Sequence, residues 1–96
     1  MTEAVSLDEQ SRAALQPLQL GHRTLRNRVA ITPHITGFAA GGLVTPTLID
    51  YHVGRARGGV GLIMTETGSV HDSYRTPSVQ YFQPNVGEGL SRLADA

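Results

Sequence analysis

Two short runs of alternating apolar and polar residues, Leu18-Gln19-Leu20 and Arg23-Thr24-Leu25, flank the dipeptide Gly21-His22. Alternation on both sides of a glycine-containing dipeptide predicts a β-hairpin. The pattern then changes. Val29, Ala30 and Ile31 form an apolar run without alternation, the mark of a buried strand. That strand has to stop at Thr32-Pro33, because Pro33 has no N–H for a ladder. A glycine-rich loop follows, with Gly37, Gly41 and Gly42. Thr45 is a good N-cap, and Pro46 suits the first helical position, where its missing N–H costs nothing. The helix is predicted to run to about Arg57, with Ile49, Val53 and Ala56 as its apolar stripe and Leu48 and His52 beside it. Gly58 is expected to supply a left-handed C-cap, with Gly59 extending the turn. Arg55 and Arg57 are expected at a solvated helix end, favoured there by the helix dipole.

Val60 to Thr65 is again apolar without alternation and predicts a second strand, of the kind found in parallel sheets covered by helices. Strand, helix and strand in this order make a βαβ unit. Its two strands end at one edge, the first at Thr32-Pro33 and the second at Glu66-Thr67-Gly68. Gly68 to Pro84 reads as a long loop containing a short extended piece, Val79-Gln80-Tyr81-Phe82. Connections of this length commonly form lids or binding walls. Asn85 is expected to cap a further helix with Glu88 at the capping-box position, and Leu90, Leu93 and Ala94 form its apolar face. Residues 1–14 read as a polar tail, with a short helix to about Ala14 that Ser6 and Glu9 would cap. Residues 15–96 carry the folded part.

The segment from Pro17 to Thr67 resembles the amino-terminal end of the old-yellow-enzyme family of NADH:flavin oxidoreductases. The resemblance rests on Pro17-Leu18-Gln19-Leu20-Gly21, Leu25-Arg26-Asn27-Arg28-Val29, Pro33 and the Gly37 region. It continues in Arg55-Ala56-Arg57-Gly58-Gly59-Val60-Gly61-Leu62-Ile63 and Thr65-Glu66-Thr67. It implies an α/β TIM barrel with the hairpin closing its bottom, where His22 would be a turn residue without chemistry. Such a barrel takes roughly 250 residues, so the 96 residues are expected to be its first part: the hairpin, the first βα unit, the second strand and the start of the next helix. That fragment is expected to be inactive alone.

Charge and composition remove several alternatives. Formal net charge is zero, and the eight basic residues, all Arg, are scattered among eight acids. This pattern offers no nucleic-acid face. The chain has no cysteine, hence no disulfide, Fe–S ligand or thiol nucleophile. No apolar run approaches the roughly 18 residues needed to span a bilayer, and no secretory signal is evident. A cytoplasmic enzyme is the expectation. Gly59-Val60-Gly61 precedes its strand and lacks the third glycine of a dinucleotide fingerprint. His34, His52 and His71 lie 18 and 19 residues apart, which is not close metal-ligand spacing. His22 does not improve it. His52 reads as half-buried packing and His71 as an exposed loop residue at the carboxyl-end side.

The resemblance also implies chemistry. FMN would lie across the carboxyl mouth of the barrel, lined by positions matching Thr32, Pro33, His34 and Ile35 after the first strand and Thr67 after the second. Hydride would pass from NAD(P)H through the flavin to an activated C=C bond of a small-molecule substrate. The run Pro33-His34-Ile35-Thr36-Gly37 is most similar to the trimethylamine-dehydrogenase and dienoyl-CoA-reductase branch. The amine-dehydrogenase pattern has a flavin-linked Cys after Pro-His; Ile35 stands there and offers no nucleophile, so attachment is expected to be non-covalent. An amine dehydrogenase or demethylase of this family is the alternative. Proteins of this branch carry further domains, which would add FAD and an Fe–S cluster. The catalytic acid and substrate-binding residues are expected from later strands, His34 being the one candidate here. A small non-enzymatic binding module is the reading from a different class. A hydrolase on a similar barrel would need paired carboxylates at the mouth, where Glu66 stands alone.

Overall fold

The computed structural model describes residues 8–75 and 77–96. Its elements follow in the order α1 (Glu9–Ala14), β1 (Leu18–Leu20), β2 (Arg23–Leu25), β3 (Ala30–Ile31), α2 (Pro46–Arg57), β4 (Leu62–Ile63) and α3 (Val86–Asp95). β1 and β2 pair antiparallel with Leu18 opposite Leu25. Their turn depends on Gly21, whose φ of 61° is open to glycine at no steric cost. Among the described non-glycine residues none has positive φ. Glycine therefore takes the first central position of the turn and His22 the second, the placement a II′ hairpin uses.

β3 and β4 pair in parallel, Ala30 with Leu62 and Ile31 with Ile63. Backbone bonds from Gly61 N to Val29 O (3.0 Å) and Met64 N to Ile31 O (3.0 Å) continue the ladder past both named ends. The strands are shorter and barer than their apolar runs predict. Val29 is 39% exposed, Ala30 is exposed, and Ile31, Leu62 and Ile63 are only half-buried. A parallel pair buries fully only when both faces are covered, and this pair is not.

α2 begins as expected: Thr45 Oγ1 accepts Leu48 N at 3.1 Å, and Pro46 opens the helix. Its far end differs. Gly58 is right-handed, with φ −68°, and Gly59, at φ 106°, makes the positive-φ turn. The buried residues of α2 are Leu48 and His52, so the stripe is rotated from the expected one; Ile49, Val53 and Ala56 are half-buried at its side. Arg55 is not simply solvated, since its guanidinium lies 3.4 Å from the centroid of the Tyr51 ring.

The two other helix starts also differ from expectation. α1 is capped by Asp8, whose Oδ1 accepts Ser11 N at 2.7 Å; Glu9 becomes its first residue, and Ser6 lies outside the described residues. Asn85 stands at the N-cap of α3 without a side-chain cap bond, its backbone being non-extended at φ −104°, ψ 12°. α3 still packs as expected through Leu90 and Leu93, which together with Ala39, Ile49 and Val86 surround a core of Val44, Leu48 and Val79. Ala94 is exposed.

The resemblance motifs Leu25-Arg26-Asn27-Arg28-Val29 and Gly58-Gly59-Val60-Gly61 turn out to clasp each other. Arg26 donates to the carbonyls of Ala56 and Val60. Asn27 Nδ2 donates to Gly59 O at 2.7 Å, and its Oδ1 accepts Val29 N at 3.0 Å. Gly61 has to be glycine, because a Cβ there would stand 2.3 Å from Asn27 O. Ala56 O is one of the helix-end carbonyls left without an i+4 helical partner, and Gly59 O and Val60 O lie in the turn just beyond it. These contacts lie at the amino ends of β3 and β4 and so fix that end of the unit, opposite the carboxyl ends of the two strands.

Candidate functional site

At the carboxyl edge the parallel register sets the ends of β3 and β4 side by side. Thr32, Pro33, His34 and Ile35 leave β3, and Met64 to Thr67 leave β4. All four residues of the first run are exposed, as is Thr67. Ile35 and Met64, 48% and 42% exposed, put apolar surface on this rim. The two runs are joined by one side chain. Glu66 Oε2 accepts both Thr36 N and Thr36 Oγ1, each at 2.8 Å.

His34 is oriented from both sides. Its Nδ1 lies 3.2 Å from Thr32 O, and a carbonyl can only accept, so Nδ1 carries a proton. In the neutral ring Nε2 is then the acceptor, and it meets the Tyr51 hydroxyl. Tyr51 also packs edge-on against His34 (5.7 Å between centroids) and Phe38 (5.5 Å). Thr32 O thus sets the tautomer of the strand-end histidine, and the helix that crosses over the sheet holds its ring through Tyr51. Nothing in the local pattern around Tyr51 pointed to this, since the two residues are 17 apart. Glu66 was also missed as a structural tie. The one available signal was a carboxylate directly after an apolar strand.

His52 is buried deeper than expected, 6% exposed, and neither ring nitrogen has a partner. Burial pushes its pKa below the ordinary 6.5; the charge of Glu66 opposes this, and Arg55 and His34 add to it. The folded protein therefore prefers the neutral ring, while the unfolded chain binds the proton at its ordinary pKa. Stability falls as pH drops through about 6.5, and the loss levels off below the lowered folded pKa. Denaturant unfolding of the full-length protein at about pH 7.5 and about pH 5.5 should show a smaller loss for His52→Gln than for the unsubstituted protein. Equal losses would contradict a buried neutral His52.

A cleft of about 240 Å³ lies elsewhere. It is bounded by His52, Val53, Ala56, Ile63, Thr65 and Leu93 among others, and none of Thr32, Pro33, His34, Ile35 or Thr67 lines it. His71 is exposed and bonded locally to Ser73. The loop before α3 folds inward: Ser69 N donates to Val79 O (3.0 Å), Tyr81 N to Ser69 O (2.7 Å) and Gln80 N to Gly42 O (2.8 Å). Ser78, Val79 and Gln80 are buried. The first half of the expected extended piece, Val79 and Gln80, is therefore part of the core, while Val70 to Arg75 stay exposed. Among the described residues there is no group of three potential metal ligands and no helix long and apolar enough to cross a membrane.

A βαβ unit with its strand ends gathered on one rim is the ligand-presenting element of α/β enzymes. The chain belongs to the NADH:flavin oxidoreductase / NADH oxidase family, whose profile matches residues 14–80. It is 36% identical over 86 residues to a metal reductase of Desulforamulus reducens, which covers 83% of this chain and 12% of that protein. It is 45% identical over 65 residues to a probable N-methylproline demethylase of Rhizobium meliloti, covering 68% and 9%. The old yellow enzyme of Trypanosoma cruzi superposes with a TM-score of 0.73 at 28% identity, over 88% of this chain and 23% of that one. The chain thus spans about a tenth of the length of these curated relatives. The family is one of enzymes, which sets aside the non-enzymatic binding module.

Proposed function

We propose that this chain forms the first β/α unit of an FMN-binding (β/α)8 barrel, and that the rim of Thr32, Pro33, His34, Ile35 and Thr67 lines the flavin. The observation that carries this is the parallel register of Ala30 with Leu62 and Ile31 with Ile63, which gathers both exits on one edge. The residues suit the group. Pro33 and Ile35 offer apolar contact to a planar ring, and Thr32 and Thr67 offer short polar groups beside it. The rim lies open rather than filled by neighbouring side chains. FMN, when bound, supplies two-electron hydride chemistry, with NAD(P)H as reductant and an activated C=C bond as acceptor. The chain's own part is to position and to exclude water. Ile35 has no nucleophilic atom, so the contact there is non-covalent. His34, bonded through Nδ1 to Thr32 O and through Nε2 to the Tyr51 hydroxyl, has no free N–H to give away while both bonds persist. Its role is to orient substrate or flavin rather than to deliver a proton.

The test is a pair of substitutions in the full-length protein. His34→Ala should retain flavin and lower turnover, since it removes a polar group from the rim without filling it. His22→Ala should change neither, because it sits at the opposite end of the unit. Selective loss of turnover in His22→Ala, at unchanged stability, would put the site at the wrong end.

The second reading is oxidative demethylation of a small amine, favoured by the identity to the N-methylproline demethylase. It shares the same rim. Flavin reduction by a secondary or tertiary amine in the absence of NAD(P)H would select it. FAD and an Fe–S cluster belong to this reading too, in further domains, because this chain has no cysteine to ligate a cluster.

A further inference from the structure

Glu66 is the most deeply buried charged side chain described, at 3% exposed, and it stands at the rim. Burying a carboxylate is costly unless strong hydrogen bonds replace its water. Both bonds it accepts go to a single residue, Thr36 N and Thr36 Oγ1, and Oε1 has no partner. Thr36 Oγ1 in turn accepts Phe38 N at 3.1 Å, and Gly37 turns the chain at φ 78°. The run Pro33-His34-Ile35 is therefore fixed at its start by the β3 ladder and at its finish by this clamp. A neutral side chain could tie two loops at less cost. The charge makes sense where the position of the run has to be held closely.

We propose that Glu66 is a positioning residue for the cofactor. Through Thr36 it holds Pro33-His34-Ile35 at the height and angle that match the flavin ring, and so sets flavin affinity without touching the flavin. This rests on the reading that the 32–35 run lines FMN. Charge-assisted bonds are roughly twice as strong as neutral ones, so replacing the carboxylate by an amide should loosen the run rather than unfold the chain. Thr36→Val removes both hydroxyl bonds, the one given to Glu66 and the one accepted from Phe38 N, and leaves the backbone bond to Glu66. Thr36→Ser keeps all three.

The experiment measures FMN Kd by fluorescence quenching, and the visible circular dichroism of bound flavin, in the full-length protein. Glu66→Gln and Thr36→Val should each raise Kd about tenfold, a loss of about 1.4 kcal/mol, and alter the flavin dichroism. Thr36→Ser should restore both. The double variant should be no worse than the poorer single one, because the two changes break one clamp. If Glu66→Gln does not fold, Thr36→Val against Thr36→Ser carries the same comparison. A purely structural role would lower the melting temperature and leave the dichroism of bound flavin unaltered, and that result overturns the proposal. Thr67→Trp separates the two levels. If it expels flavin while Glu66→Gln and Thr36→Val bind normally, the rim reading stands and the clamp fails. If Thr67→Trp binds flavin normally, the rim reading itself fails.

Discussion

Thr67→Trp should yield a full-length protein that purifies folded and largely colourless. Thr67 follows Glu66 at the end of β4 and is exposed, so an indole there meets no packed core and the fold should survive. On the proposed reading of the rim, it would project where the flavin ring lies. Overfilling a fitted site costs about 1–3 kcal/mol, and 1.4 kcal/mol is about tenfold in affinity. FMN occupancy on purification should therefore fall by roughly tenfold or more, while far-ultraviolet circular dichroism and melting temperature hold. Visible absorbance at equal protein concentration checks it. A fully yellow Thr67→Trp protein would mean that the strand ends do not face the cofactor.

The 96 residues expressed alone should not fold cooperatively. A compact chain of this length has a radius of gyration of about 12.5 Å, whereas this one has 16.6 Å and extends over 50 × 36 × 23 Å. The buried apolar core among the described residues is Val44, Leu48 and Val79 alone. Both sheets have two strands, and their outer edges present unpaired N–H and C=O groups that invite association. Ile35, Phe38, Met64 and Val70 are exposed as well. Thermal scans of the isolated chain should show a shallow, concentration-dependent change with aggregation. A sharp two-state transition of a monomer would show that the bare faces need no covering.

What was legible in the sequence was whatever is decided within a few residues. Thr45-Pro46 announced the start of α2, Gly21-His22 the hairpin, and Pro33 the end of β3. Each acts through its own backbone preference. What was not legible depends on partners far along the chain. Glu66 finds Thr36 across 30 residues, and Arg26 and Asn27 find the end of α2 across 30 and 32. The cap errors are of another kind. Ser, Asp and Asn are close in capping propensity, and Asn85 does not bond because its backbone, at φ −104°, ψ 12°, is not extended. The burial error at β3 and β4 came from reading apolar residues as covered. Their side chains suit a two-sided layer, and this chain supplies only part of it. Several of the resemblance motifs clasp the amino ends of β3 and β4, and only the run after β3 and Thr65-Glu66-Thr67 reach the rim.

On the proposed reading, this chain carries part of a non-covalent FMN site. The direct measurement is acid precipitation of the purified full-length holoprotein, followed by chromatography of the supernatant and pellet. FMN should appear in the supernatant in proportion to protein. Absence of FMN from both fractions, or flavin retained in the denatured pellet with Ile35 in place, would contradict the account.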